Sequence, residues 1–395
     1  MHLPADETAG GCPDEVHAAD RCGPWFDRTV SPAAPVVTTG TVVTARKRDS
    51  ALMVMGPTPD TATETATGVI TEPRDPAAAA PGESGAGKEV QGRSLRQIAW
   101  SRLKKDKVAM TGGGIVLFLI LVAIFAGPIV ALLGHPPDQF NQDQIDPNLG
   151  GLPKGGAGGI SKDFLLGVEP GSGRDVFSRI VYGARISLLI AFLATLLATV
   201  IGVVMGIVAG YFGGWIDAII SRIMDIFLAF PLLLFAISLI VVLPQEFLGL
   251  ERNTSRMLLL VVVIGGFSWP YIGRIIRGQT LSLREREFVE AARSMGSRSA
   301  YILFRELLPN LAAPILVYAT LVIPVNIIFE ASLSFLGVGV QPPAASWGKM
   351  LSTAVQYYAY DPLFMIVPGA MLFITVLSFN LFGDGLRDAL DPKAH

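Results

Sequence analysis

Few side chains in this sequence are spaced for chemistry. Gly82-Glu83-Ser84-Gly85-Ala86-Gly87-Lys88 has the glycines and terminal lysine with which a loop cradles phosphate. Glu89 follows where a serine or threonine would ligate Mg²⁺, and Ala77 to Pro81 precede it in place of an apolar strand. A carboxylate there repels phosphate, so the match is a coincidence of composition and the chain is read as hydrolysing no ATP. Cys12, His17 and Cys22 supply three ligands at most, without the close pairing usual for zinc. The four histidines are scattered. No Asp/Asp, Ser/Lys or His-rich pair falls at matched depth in facing apolar runs. No catalytic, metal or cofactor-binding residue is assigned.

A different chemistry, that of a protein contact, is written between two apolar runs. The segment Arg284-Glu285-Arg286-Glu287-Phe288-Val289-Glu290-Ala291-Ala292-Arg293-Ser294-Met295-Gly296 continues through Ser297 to Leu308 and Pro309. Its residues predict two short helices separated at Gly296, which can take a left-handed stop conformation. Pro309 is expected to close the second helix. Ala291 and Ala292 would form a low-profile face that another protein's groove can approach, with the surrounding charges fixing register. Read alone, the segment is better taken as a solvated basic loop that only sets topology.

The elements that must position this loop are membrane spans. The 395 residues are 51% hydrophobic and only 16% charged, with mean hydropathy +0.50, against about 25% charge in a soluble domain. A net charge of −2 gives no basic field for nucleic acid, and two cysteines give no disulfide scaffold. A span needs about 20 apolar residues. Six runs qualify or nearly so: Val108 to Gly134, Ile186 to Ile216, the stretch after Asp225 through Phe230-Pro231 to Val242, Met257 to Gly273, Leu311 to Phe329, and Pro362 to Gly383. Ile216 to Asp225 is expected at the interface, leading into the third. Residues 1–92 show no sustained period and are expected to be a disordered tail without a signal peptide; initiation at Met53 or Met55 is a consistent alternative start. Residues 93–185 would hold the first span and a long outer loop, 186–385 the main transmembrane domain, and 386–395 the C-terminus.

With both termini inside, the basic residues are twice as numerous on the inner side, beginning with Arg93, Arg96, Arg102, Lys104, Lys105 and Lys107. Arg179 and Arg185 fall on the wrong side, which a folded segment in the outer loop would explain. Gly202, Gly206 and Gly210 line one face of the second span and predict close helix packing. Glu330, at the outer end of the fifth, is costly in hydrocarbon, so it should line a wet cavity or reach the interface; it is the candidate pathway residue. Asp225 and Asp384, at inner span ends, are expected to snorkel or pair.

Glu290-Ala291-Ala292, Gly296 and Leu308-Pro309 resemble the EAA loop of ABC-importer permeases, with Glu306 departing from the pattern and given no docking role. Gly173-Arg174-Asp175-Val176-Phe177-Ser178-Arg179 with Tyr182-Gly183-Ala184-Arg185, and Phe382-Gly383-Asp384-Gly385-Leu386-Arg387-Asp388 through Asp391-Pro392, resemble segments of dipeptide and oligopeptide permeases of the DppC/OppC type. Leu166-Gly167-Val168-Glu169-Pro170 departs from the commoner Leu-Gly-Thr-Asp form. The resemblance runs from about Arg93 to Pro392. It implies an all-α, type I importer-like bundle in the plasma (inner) membrane, its loop docking on ATPase subunits. It also implies a second permease chain, two ATPases using ATP and Mg, an extracytoplasmic peptide-binding protein, and surrounding membrane lipid. The outer loop from His135 to Arg185 would cap the pathway or meet that binding protein. Permeases for nickel or another small solute share the loop, and a membrane-embedded enzyme is the reading from another class.

Overall fold

The computed structural model describes residues 95–242, 249 and 251–391. The expected tail 1–92, with the phosphate-loop near-match and Cys12, His17 and Cys22, lies outside the described residues, as does Pro392. A short helix, α1 (Leu95–Leu103), precedes α2 (Lys107–Ile124). Asp106 separates them, one carboxylate oxygen accepting from the amides of Val108 and Ala109 and so capping α2. A turn at Phe125 leads into α3 (Ala126–Leu133), so the first apolar run is two helices in series.

Then comes a folded connection. A two-stranded antiparallel ribbon pairs β1 (Ile145–Asp146) with β2 (Leu152–Pro153). Ile145, Phe164 and Val168 form a small core there. Arg179 is one of the largest fully buried side chains, its guanidinium 3.4 Å from a Glu169 carboxylate that also holds Arg174 at 2.7 Å. It donates as well to the carbonyls of Pro137 and Pro343 at 3.4 Å. The folded segment expected around this misplaced arginine is therefore present. Burial demands a partner charge, and Glu169 supplies it.

The long helices are α4 (Val176–Phe212), α7 (Arg252–Arg284), α10 (Leu308–Phe335) and α12 (Pro362–Leu390). Asp175 caps α4 by accepting from the Phe177 amide, and Gly213 at φ +65° ends it. The boundaries drawn at 185/186 and 385/386 fall inside α4 and α12. Among the described residues, five helices are long and apolar enough to cross a membrane. The expected third span is broken: α5 (Gly214–Ala229) and α6 (Leu232–Val242) meet at 85° across Phe230-Pro231. The proline has no N–H to continue the ladder and keeps the preceding residue extended, with Phe230 at ψ +132°.

Three apolar clusters join these helices. Leu119, Leu188, Ile327, Trp347 and Phe379 bring α2, α4, α10 and α12 together with the short helix α11 (Trp347–Ala354). Met224, Ile272 and Leu311 join α5, α7 and α10. Ala236, Ile264 and Leu333 join α6, α7 and α10. Large apolar side chains also face outward, such as Leu196 at 60% and Phe373 at 64% exposure. A protein in water could not sustain this; hydrocarbon or neighbouring subunits can. The chain is an all-α, multi-pass membrane bundle.

Candidate functional site

The loop after α7 folds into an elbow. Arg286 leads into α8 (Glu287–Ser294), which has Glu287 and Glu290 in its first turn, where the helix dipole favours acids. Gly296 stops it at φ +76°; the Gly296 amide donates to the Arg293 carbonyl at 2.9 Å and the Ser297 amide to that of Ala292 at 3.1 Å. This is a Schellman stop, satisfying two carbonyls that the helix end would orphan. A β-carbon on Gly296 would meet nothing within 4 Å, so its requirement is conformational and not steric.

The second half of the elbow departs from expectation. One helical turn, α9 (Ser299–Tyr301), enters a π-helical segment, Ile302–Leu307, that runs directly into α10. Pro309 sits in the first turn of α10 and closes nothing. The wider turn lets the Leu308 amide reach the Leu303 carbonyl, five residues back, while the Asn310 side chain donates to the Glu306 carbonyl at 2.6 Å. The ladder thereby passes a residue that has no amide hydrogen.

Val289 and Ala292, three residues apart on one helical face, pack with Ile302 and Leu307 against Tyr211, Leu283 and Leu303. Ala292 is 3% exposed. This corrects the expectation that both alanines face a partner: the face of α8 that carries Ala292 is consumed inside the chain. Glu290 and Ala291 are exposed, Leu308 is half-buried and Pro309 is exposed. The elbow is tied to the end of α4 by two arginines that sequence reasoning did not single out. Arg284 donates to the carbonyls of Gly210 and Tyr211 at 3.3 and 3.4 Å, and the Arg293 guanidinium lies 5.3 Å over the Tyr211 ring.

The three glycines of α4 are spent within the chain. Added β-carbons at Gly202, Gly206 and Gly210 would come to 2.8 Å from the Trp269 carbonyl oxygen, 2.7 Å from that of Gly273 and 2.7 Å from the Thr280 β-carbon, all on α7. Beside this seam Arg277 grips Asp217 through both carboxylate oxygens, and Arg274 holds Asp225 at 2.6 Å. The expected pairing of Asp225 is thus present, across to α7.

Glu330 is enclosed by its own chain. It is 0% exposed, neither at an interface nor on a wet surface within this chain. One carboxylate oxygen accepts from Ser334 at 2.8 Å, while the other has no hydrogen-bond partner within this chain. The packing of α4 and the 336–346 connection over α10 encloses it, a long-range fact that span-end position does not encode. Nearby, Asn326 bridges Thr195 of α4 at 2.8 Å and Ser268 of α7 at 3.0 Å. A lone amide inside an apolar run was the available signal. Ser268 also lines a cavity of about 400 Å³ at the α5–α6 bend, walled by Phe227, Phe230, Phe267, Tyr271 and Phe329.

Among the described residues no three His, Cys, Asp or Glu side chains gather to hold a metal. What the site offers mechanically is an elbow with an exposed outer face, an apolar inner face and a continuous helix leaving it. Comparison with known proteins gives this geometry a context. Residues 202–395 match the family model described as "Binding-protein-dependent transport system inner membrane component", and residues 94–150 match "N-terminal TM domain of oligopeptide transport permease C". The chain is 41% identical over 295 residues to the dipeptide transport system permease protein DppC of Alkalihalophilus pseudofirmus, an alignment covering 75% of this chain and 89% of that one. It is 42% identical over 294 residues to the glutathione transport system permease protein GsiD of Salmonella typhimurium, covering 74% and 89%. The oligopeptide transport system permease protein OppC of Salmonella typhimurium is 40% identical over 305 residues, covering 77% and 93%.

Proposed function

The chain belongs to the family of binding-protein-dependent transport system inner membrane components, and from that premise we propose that it forms one half of a plasma-membrane pathway for di- or oligopeptides. Membership makes it a membrane transport subunit and not an enzyme. In our reading a second, homologous permease completes the pathway, two ATPase subunits dock from the cytoplasm, and an extracytoplasmic binding protein delivers the peptide. Both termini are cytoplasmic in this arrangement. ATP and Mg²⁺ belong to the ATPases, and the peptide class follows from what the relatives are named for.

The observation that carries the coupling role is the continuity between elbow and span. From Ser299 to Phe335 one helical path runs through the π turn and past Pro314 and Pro324, and α8 is packed onto its start through Val289 and Ala292 against Ile302 and Leu307, so a push on α8 is passed to α10 and on toward the region of Asn326 and Glu330. Arg284 and Arg293 carry the same displacement to α4. Closure of the ATPases would tilt these helices together and switch the pathway between inward- and outward-open states, a two-state element biased by nucleotide. Glu290, Ala291 and Gly296, with Leu308 and Pro309, form the docking surface in this reading, and Ala292 supports it from beneath.

Uptake of labelled dipeptides, tripeptides and Ni²⁺ should be compared in cells lacking and regaining this chain. Peptide uptake that returns with the chain supports the reading; restored Ni²⁺ uptake without peptide uptake overturns the substrate class.

A further inference from the structure

We propose that the turn between α1 and α2 is a binding site for the headgroups of anionic phospholipids. α1 has nine residues, too few to cross a bilayer, and it is packed down by Leu103 against Ala109, Ala389 and Phe382. Around the turn that follows it, two kinds of outward side chain matter here. Trp100 is 54% exposed, at the position just outside a span where indole rings settle at headgroup depth. Lys104, Lys105 and Lys107 are all exposed, within four positions of one another.

The charges here are not consumed by the fold. Lys104 lies 5.1 Å over the Trp100 ring, four residues before it on the same helical side, which leaves its ammonium hydrogens available on the far side. None of the three lysines has an ion-pair partner among the described residues. The one carboxylate between them, Asp106, turns an oxygen onto the amides of Val108 and Ala109. Arg102 is committed to the Asp391 carbonyl at 2.9 Å, which pins the turn to the end of α12. Three exposed lysines close in sequence at the mouth of a span, with an indole beside them, complement a phosphodiester attached to an acyl chain. The same cluster against nothing but solvent would serve only to orient the span.

The test uses the full-length chain purified in neutral detergent and a fluorescent short-chain phosphatidylglycerol, with the matching phosphatidylcholine and inorganic phosphate as separate arms. The wild type should bind phosphatidylglycerol at least tenfold more tightly than phosphatidylcholine, a preference that fades with salt. Inorganic phosphate at equal concentration should not displace it. K104Q/K105Q/K107Q should lose the preference, and K104R/K105R/K107R should keep it. Equal affinity for the two lipids, displacement by phosphate alone, or a preference intact in the glutamine variant would each overturn the proposal. If the glutamine variant does not purify, the salt titration of the wild type decides, and a preference indifferent to salt is the refuting result.

Discussion

A β-carbon added to Gly206 would lie 2.7 Å from the carbonyl oxygen of Gly273, so α4 and α7 touch backbone to backbone at this point. Dispersion across such a contact is large because no side chain separates the two ladders. Gly206→Val should therefore force the helices apart and lower the stability of the folded bundle by about 1–3 kcal/mol. Gly266→Val is the control, since its β-carbon would meet nothing within 4 Å. Thermal unfolding in detergent should separate the two, and equal midpoints would contradict the close-packed seam.

Gly296 needs its left-handed φ and has open space around it. Gly296→Asn should be tolerated, because asparagine visits that region, whereas Gly296→Val should cost about 1–2 kcal/mol locally and tilt α8 away from α9. The expected readout is loss of co-purifying ATPase subunits and of uptake in the valine variant only. Peptide binding by the isolated extracytoplasmic protein should be untouched in both.

Ala291 and Ala292 are adjacent and should fail differently. Ala292→Trp cannot fit beside Ile302 and Leu307, so the elbow itself should open and become sensitive to limited proteolysis. Ala291→Trp projects from the exposed face, so the elbow should stay protease-resistant while ATPase docking is lost. Identical proteolysis patterns for the two variants would refute the assignment of faces.

Asp361 precedes α12 and is almost wholly buried, with Gly158 of the folded connection against its carboxylate and one oxygen lacking a hydrogen-bond partner. Burial pushes its carboxyl above the usual range, while the amides of Phe364 and Leu363 pull it down less strongly. An acid whose folded value is raised favours folding most when protonated. Its contribution is full below the unfolded value of about 4 and falls as pH rises through the folded value. Asp361→Asn should remove that fall and raise the unfolding midpoint at neutral pH relative to wild type. A midpoint unchanged at neutral pH, with the same slope above pH 4 or so, would count against it.

The sequence alone determined the membrane class, the places of the apolar runs and the site of the elbow. Hydrocarbon length sets a minimum on any span, and only Gly296 among the elbow's residues meets the stop conformation without strain. It also marked the glycine face of α4, because a spacing of four keeps three residues on one side of a helix. Other features lay beyond it. An apolar residue in a span reads the same whether it touches lipid, a partner or its own chain, so periodicity could not tell that α7 is what the glycines meet. Ala292 and Glu330 turned inward because distant segments, Ile302–Leu307 in one case and α4 with the 336–346 connection in the other, closed over them. Pro309 read as a stop because an α-ladder cannot pass it, yet the π turn before it shifts the hydrogen bonds and the helix continues. Arg179 found Glu169, and Arg284 the end of α4, through folding that brings separated residues together. Local chemistry limits what each segment can be; which face it hides is decided by the segment that arrives to cover it.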